Sequence, residues 1–428
     1  MSVSATPVKR GLLRAASAAA VGNIVEWYDW TVYAIFAFYF SAQFFPGDNP
    51  TAALISTFAV FAIGFVARPL GSVTLGRITD RMGRKAALTT TVVIVAAAST
   101  LIGLAPTAEM IGIWAAVWLV TMRAAQGLAL GAESSAVGAF LLESAPDNRR
   151  GVMVSIYSST IALGTLLGSI LGFFLTSILS AEEMREFGWR IPFIIGGILG
   201  LGALIVRRHA EETLPDDHEH DPHPVRTLFR QHPRLVRATL LVGGAYALPF
   251  FVLVTGFPAI VELLGASPQT AFGASIVGLI LLAILTPIFG ALSDRIGRRP
   301  ILLLGFAGMA VLALPGIALL WDPSAPWRVY TAQILAIIPI SMLAGTVLVS
   351  LIERFPTALR GSGFGFLWAL AMAIFGGTGP MIATALAQRG ITFTMTAYFL
   401  AMFISAAILV ARSRDDRSRH TTTDPPEG

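Results

Sequence analysis

The chain is predicted to be all-α and to cross a membrane twelve times, as two pseudo-symmetric six-helix bundles. Three observations predict this. Apolar residues fill 55% of the 428 positions and charged residues only 13%, with a mean hydropathy of +0.73, whereas soluble domains are about 25% charged. The apolar residues fall into twelve runs of helical length, six in each half. A charged string also appears twice: Gly76-x-x-x-Asp80-Arg81-x-Gly83-Arg84-Lys85 returns 214 positions later as Gly290-x-x-x-Asp294-Arg295-x-Gly297-Arg298-Arg299. A second pair, Glu143-x-x-Pro146-x-x-x-Arg150-Gly151 and Glu353-x-x-Pro356-x-x-x-Arg360-Gly361, repeats at an offset of 210. The chain therefore reads as a tandem duplication whose unit is charged at short seams between apolar runs. A β-barrel is excluded, because its strands alternate in and out over about ten residues and these runs are continuously apolar.

The first run, 15–44, follows Lys9, Arg10 and Arg14 in the manner of a signal peptide. Glu26 and Asp29 interrupt it and the apolar pattern then resumes to Phe45, so an uncleaved first helix is expected. Glu26, Asp29, Trp30 and Tyr33 fall at i, i+3, i+4 and i+7, on one helix face. The second run, 52–77, holds Arg68 and leads into the first charged seam; the third spans 86–105. In the fourth, 110–142, Arg123, Gln126, Leu130 and Glu133 share a face, and Gly127, Gly131, Ser135 and Ala139 recur every fourth residue. Thr160, Gly164, Gly168 and Gly172 do the same in the fifth, 152–179, a spacing that lets helix backbones approach closely. The sixth run covers 189–206.

Residues 207–237 form a linker, too short and too polar to bury a core of its own. Its tract His218-Glu219-His220-Asp221-Pro222-His223 is read as solvated linker rather than a metal site. The second half repeats the pattern with runs at 238–264, 269–293, 299–320, 328–352, 362–387 and 392–411. The expected organisation is a bundle at 1–206, the linker, a bundle at 238–412 and a disordered polar tail at 413–428.

Basic residues set the orientation. With both termini in the cytoplasm, the inner segments hold 24 of the 30 Lys and Arg residues, and the outer ones only Arg185, Arg190, Arg328 and Arg389. The formal charge of +5 is thus a topology signal and calls for no nucleic acid. The chain contains no cysteine, so disulfides and thiol-bound metals are excluded. No metal site or cofactor is expected, a multi-pass protein of the plasma membrane is, and soluble-type catalysis has nowhere to sit.

Five ionisable residues lie in the interior of the first six runs, away from their ends: Glu26, Asp29, Arg68, Arg123 and Glu133. A charge at the bilayer centre costs at least about 2.5 kcal/mol unless paired or hydrated, and is therefore a candidate functional group. Salt bridges between helices, without a transport role, are the plainer alternative. All six histidines lie in the linker or tail, so a proton carrier within the bilayer would have to be a carboxylate. Asp29 lies 15 residues beyond Arg14, about 22 Å along a helix and so near the midplane. Asp29 is the first candidate carrier, Glu26 a relay or second candidate, and Arg123 the group that controls it. Tyr157, Ser158, Ser159, Tyr246 and Trp368 could line a central cavity, although aromatics also anchor helices at membrane interfaces.

The doubled seam motif resembles the signature loops of the major facilitator superfamily. The chain looks more narrowly like that family's metabolite:proton symporters. The matching residues are Gly22-Asn23-x-x-Glu26-Trp27-Tyr28-Asp29, Arg68-Pro69-x-Gly71, Arg123-x-x-Gln126-Gly127 and Gly131-x-Glu133. Trp189-Arg190-Ile191-Pro192-Phe193, Glu353-x-Phe355-Pro356-Thr357, Phe375-Gly376-Gly377 and Pro380 continue the match. The resemblance implies two bundles rocking about a midplane site and proton-driven uptake of a small metabolite. It also implies gate clusters at the inner seams: Asp80, Arg81, Gly83 and Arg84 with Glu143 and Arg150, and Asp294, Arg295, Gly297 and Arg298 with Glu353 and Arg360. Ala132 departs from the family's usual Gly-Gly-Glu, and the tail lacks the coiled-coil extension of osmosensing members.

The expectation is a monomeric secondary transporter in the lipid bilayer, taking up a small organic anion with a proton. Its site would draw on Arg68, Arg123, Gln126, Glu133, Tyr33, Tyr157, Tyr246 and Trp368. Uptake of a zwitterion such as proline or betaine, and facilitation or efflux by the same fold, remain open. A uniporter would not need Asp29, a membrane enzyme would need a nucleophile–base or metal set that the sequence lacks, and a scaffold or receptor would lose the charges of the first helix without consequence.

Overall fold

A computed structural model describes residues 7–82, 84–131, 145–208, 224–320, 322–388 and 392–413. All twelve predicted runs are helical where described. In the first half they are α1 (Pro7–Ile35) with α2 (Ala37–Phe44), α3 (Pro50–Met82), α4 (Arg84–Gly103), α5 (Trp114–Gly131), α6 (Arg150–Ile178) and α7 (Arg190–Arg208). A short helix α8 (Pro224–Gln231) precedes the second half. There the spans are α9 (Pro233–Phe250) with α10 (Phe257–Leu263), α11 (Pro268–Ile296), α12 (Arg298–Gly308) with α13 (Leu314–Leu319), α14 (Pro326–Ile352), α15 (Ser362–Ala371) with α16 (Gly379–Gln388), and α17 (Thr392–Arg412). Among the described residues, seven helices are long and apolar enough to cross a bilayer alone, and a pair bent by 43°, Ala181–Gly188 with Arg190–Leu204, makes an eighth.

The doubled spans of the second half are joined by π-helical turns at Phe251–Thr255, Met309–Ala313 and Met372–Gly377. Pro249 and Pro258 bracket the first turn and Gly376-Gly377 closes the third. Proline withholds a backbone donor from the helical ladder, and glycine is costly in a helix interior, so the first and third turns fall where the sequence weakens the regular ladder. Part of the linker also folds. Leu228 of α8 is fully buried and packs over Gly363 at the start of α15, while Arg226 and Arg230 on the same helix remain more exposed.

Glycines set the helix contacts. A side chain at Gly71 would run into the Leu128 carbonyl and one at Gly127 into the Gly64 carbonyl, so α3 and α5 touch backbone to backbone. Gly164 lies over the Ile24 carbonyl of α1. The two halves meet chiefly where α6 packs along α11: Gly151 faces Gly290 at one end, and Gly172 faces Phe272 at the other. The end carrying the joints α3–α4 and α11–α12 is called the charged end below, and its opposite the far end.

Candidate functional site

A cavity lies between the halves. Trp27, Arg68, Tyr157, Ser158, Tyr246 and Trp368 supply its polar and aromatic wall, and Phe250, Phe251 and Met372 add apolar surface. Of the sequence candidates, the structure thus brings Arg68, Tyr157, Tyr246 and Trp368 together, from four different helices. Tyr157 is anchored by donating its hydroxyl to Asn23 Oδ1 at 3.1 Å, and Asn23 in turn donates to Thr160 Oγ1 at 2.5 Å. Tyr246 stacks on Trp368 with ring centroids 6.2 Å apart and planes at 24°.

Arg68 is the only charged side chain among the described residues of this wall. It is 5% exposed, and neither its Nε nor its Nη2 has a hydrogen-bond partner. Its guanidinium carbon lies 3.9 Å from the Trp30 ring centroid and 4.9 Å from that of Phe65. Ring faces offset a desolvated cation by about 2 kcal/mol or more but do not accept the in-plane N–H groups, so the unbonded edge keeps its need for an acceptor.

Asp29, Gln126 and Arg123 form a chain inside the first bundle. Gln126 Nε2 donates to Asp29 Oδ2 at 2.7 Å, and Arg123 Nη1 donates to Gln126 Oε1 at 2.9 Å. All three are buried. The sequence marks Arg123 as the group that controls Asp29; the structure inserts Gln126 between them, because position 126 on the same face of α5 reaches toward α1. Arg123 lies 4.1 Å from the Trp30 centroid and 4.4 Å from that of Tyr33. The Trp30 indole therefore contacts both guanidinium groups, one tied to Asp29 and the other at the cavity wall. Tyr33 is fully buried, donates to the Thr57 carbonyl at 3.1 Å, and packs on Phe40, Phe61 and Phe193. Tyr33, Gln126 and Arg123 are outside the described cavity wall.

A second, smaller pocket lies between α1, α4, α5 and α7, with Glu26 and Asp29 in its wall. Among the described residues it shares no lining residue with the central cavity. One face of α1 presents Trp27 to the cavity, while Val25, Glu26 and Asp29 line the pocket.

At the charged end, Arg298 donates from Nε and Nη2 to both oxygens of Glu353, at 3.2 and 2.9 Å, and from Nη1 to Asp294 Oδ1 at 2.6 Å. Asp294 also crosses to the other half. Its two oxygens accept the backbone N–H groups of Gly151 and Val152 at 2.8 and 3.0 Å, so a carboxylate of one bundle caps the N-terminus of α6 in the other. Gly297 has φ +102°, a conformation that favours glycine and lets α11 turn into α12. Arg360 Nε donates to the Phe355 carbonyl at 3.0 Å. Arg295 lies in the last turn of α11 and Arg150 opens α6. Asp80 and Arg81 are in the closing turns of α3 and Arg84 opens α4; Gly83, Glu133 and Glu143 lie outside the described residues.

A further buried pair lies at the far end. Glu262 on α10 is 6% exposed and accepts a hydrogen bond from the Tyr39 hydroxyl of α2, across the two halves. A carboxylate at the end of an apolar run reads as an interfacial residue; the signal that marks it is a tyrosine in the facing half, which only the fold brings near.

Comparisons with known proteins agree with this geometry. The chain is 32% identical over 396 residues to an alpha-ketoglutarate permease of Escherichia coli, covering 91% of this chain and 90% of that protein. It is 30% identical over 406 residues to a proline/betaine transporter of Salmonella typhimurium, covering 91% and 80%. In fold it is similar to a crystal structure of a D-xylose-proton symporter, with a TM-score of 0.71 over 95% of this chain and 99% of that one, at 22% identity. The sequence profile of the Major Facilitator Superfamily matches residues 19–380 and again 239–427. With two helical bundles, a cavity between them and relatives aligned over nine-tenths of its length, the chain belongs to the Major Facilitator Superfamily and is a membrane transporter of small solutes.

Proposed function

We propose that this transporter takes up a small organic acid by symport with a proton, with no cofactor other than that ion. The observation that carries the reading is Arg68: one guanidinium with an unbonded Nε–Nη2 edge, and no acidic group among the described residues of the cavity wall. That edge suits two parallel hydrogen bonds from a carboxylate. A bound carboxylate would touch Trp27 and Tyr157 and would sense, through Arg68 and Trp30, the charge on Arg123. Asp29, joined to Arg123 by Gln126, is the proposed proton carrier. Asp29 would be protonated when the substrate loads and deprotonated when it leaves, each step altering the field along Arg123 and Arg68.

The charged end is proposed to face the cytoplasm with both termini, in the plasma membrane, and the working unit to be a monomer. The doubled seams, including Asp80, Arg84, Glu143 and Arg150 in the first half, would serve as the inner gate. A zwitterion is the second reading. The aromatic wall of Trp27, Tyr157, Tyr246 and Trp368 could hold a quaternary ammonium by cation–π contact while Arg68 held its carboxylate.

Purified protein in liposomes tests both readings. Under an imposed pH gradient it should accumulate a carboxylate, with other carboxylates competing and sugars and simple cations not. Arg68→Gln should lower apparent affinity by at least tenfold, since a charge-assisted pair contributes about 1.5–3 kcal/mol. Competition by betaines, equal to that by acids without an ammonium, would favour the zwitterion; saturable uptake of sugars alone would reject both. Asp29→Asn should abolish accumulation and keep exchange. If Glu26→Gln alone abolishes accumulation, the carrier is Glu26; if neither does, proton coupling through α1 is wrong.

A further inference from the structure

We infer that the pocket beside Asp29 is a route for the coupled proton, leading to the charged end and separate from the path of the substrate. The inference rests on the reading of Asp29 as carrier. The pocket wall is a ladder of turns on three helices. α1 contributes Gly22, Val25, Glu26 and Asp29; α4 contributes Thr91, Val92 and Val95; α7 contributes Ala203, Gly200 and Gly196, and Leu130 of α5 closes one side. The directions of the chains order these rungs. α1 and α4 run away from the charged end and α7 runs toward it, so Gly22, Thr91 and Ala203 lie nearest that end and Asp29, Val95 and Gly196 lie deepest.

At the deep end the pocket meets an unsatisfied carboxylate oxygen. Asp29 is 3% exposed, and its Oδ1 has no hydrogen-bond partner, whereas its Oδ2 is held by Gln126. Gly196 lies hard against Oδ1: a Cβ there would come within 2.9 Å of both Asp29 Oδ1 and Ser99 Oγ, so a side chain at 196 would crowd the two oxygens that a water molecule at the head of the route would meet. Water enters a cavity that offers it two to four polar partners, and Glu26 and Thr91 line the same wall.

Beyond Asp29, toward the far end, Tyr33, Phe40, Trp189 and Phe193 form a packed aromatic cluster. In this state Asp29 therefore communicates with the charged end. On release, the Asp29 carboxyl O–H breaks, its proton passes to a water in the pocket as hydronium, and the carboxylate is left facing Gln126. Loading from the same pocket is the reverse step. The groups that bear on Asp29 are Glu26, Tyr28 and Tyr33 of α1 and Arg123 of α5 through Gln126, with Arg68 of α3 beyond Trp30; α4 and α7 present Ser99 and glycine there, and no charge among the described residues.

Two constrictions test this. Gly196→Ala places a methyl at the head of the route, and should slow pH-driven accumulation at least tenfold while substrate counterflow, which needs no proton release, continues. The chain has no cysteine, so Ala203→Cys gives a single reactive thiol near the mouth of the route. A charged methanethiosulfonate should modify it, slow accumulation and spare counterflow, and saturating carboxylate substrate should not protect it. Should Gly196→Ala fail to fold, the thiol experiment decides alone. Wild-type accumulation rates after both perturbations, equal loss of counterflow, or protection by substrate would overturn a separate route. Accumulation driven by a sodium gradient at clamped pH would overturn its assignment to the proton. If Asp29→Asn abolishes accumulation and neither constriction slows it, the carrier stands and the route falls.

Discussion

Gln126 decides how charge is shared inside the first bundle. Its amide is polarised in the right sense at both ends, donating to Asp29 and accepting from Arg123. Gln126→Leu would preserve most of the volume and strand both charges, each short of one hydrogen bond in a dry interior, at a cost of about 1–3 kcal/mol per group. The variant should melt well below the wild type in detergent and lose substrate accumulation; Gln126→Glu, which keeps an acceptor for Arg123 but repels Asp29, should uncouple as well. A wild-type melting temperature for Gln126→Leu would show that the bridge contributes nothing. The sequence shows that residues 123 and 126 share a face of α5. It does not show which of them reaches α1, because helix rotation is set by the contact of α3 with α5 at Gly71 and Gly127, a matter of packing rather than periodicity.

Among the elements, α6 and α11 carry the contact between the bundles. Gly151 and Gly290 allow the two backbones to meet at the charged end, where Asp294 caps α6. A carboxylate at a helix N-terminus stabilises by about 0.3–1 kcal/mol when exposed and up to about 2 kcal/mol when partly buried, enough to shift a two-state population by up to about fivefold in the first case and about thirtyfold in the second. Asp294→Asn should therefore populate a form separated at the charged end, seen as a longer spin-label distance between the nearby ends of α6 and α11. An unchanged distance distribution would remove Asp294 from the latch. The family resemblance implied one cluster of Asp294 and Arg298 with Glu353 and Arg360. Its reach into the other half was not legible, since a backbone N–H has no sequence signature.

For the whole molecule, latches at both ends hold the halves together. At the far end Tyr39 donates to Glu262, and Gln269 Nε2 donates to the Thr176 carbonyl at 3.0 Å. Phe272 adds a stacked contact with Tyr39 and sits over Gly172. Removing one latch should bias the rocking equilibrium toward opening at that end. Tyr39→Phe takes away the donor and leaves a buried carboxylate to find water, which favours the form open at the far end; a thiol placed near Phe272 should then be modified faster than in the wild-type background. Equal rates would mean that the pair follows the motion without biasing it.

The sequence alone determined the helical class, the twelve spans, the duplication and the family resemblance, because each rests on local hydropathy or on spacing within one stretch of chain. The same logic found Arg68, Asp29 and Arg123, since a charge inside an apolar run stands out against its own neighbours. Only the tertiary structure decided that Arg68 faces one cavity and Asp29 another, that Gln126 separates Asp29 from Arg123, that Tyr39 meets Glu262, and that Asp294 caps a helix of the opposite half. Those relations join residues tens to hundreds of positions apart. They depend on how far each helix is rotated about its axis, and glycine contacts such as Gly71 on Leu128 and Gly164 on Ile24 set that rotation.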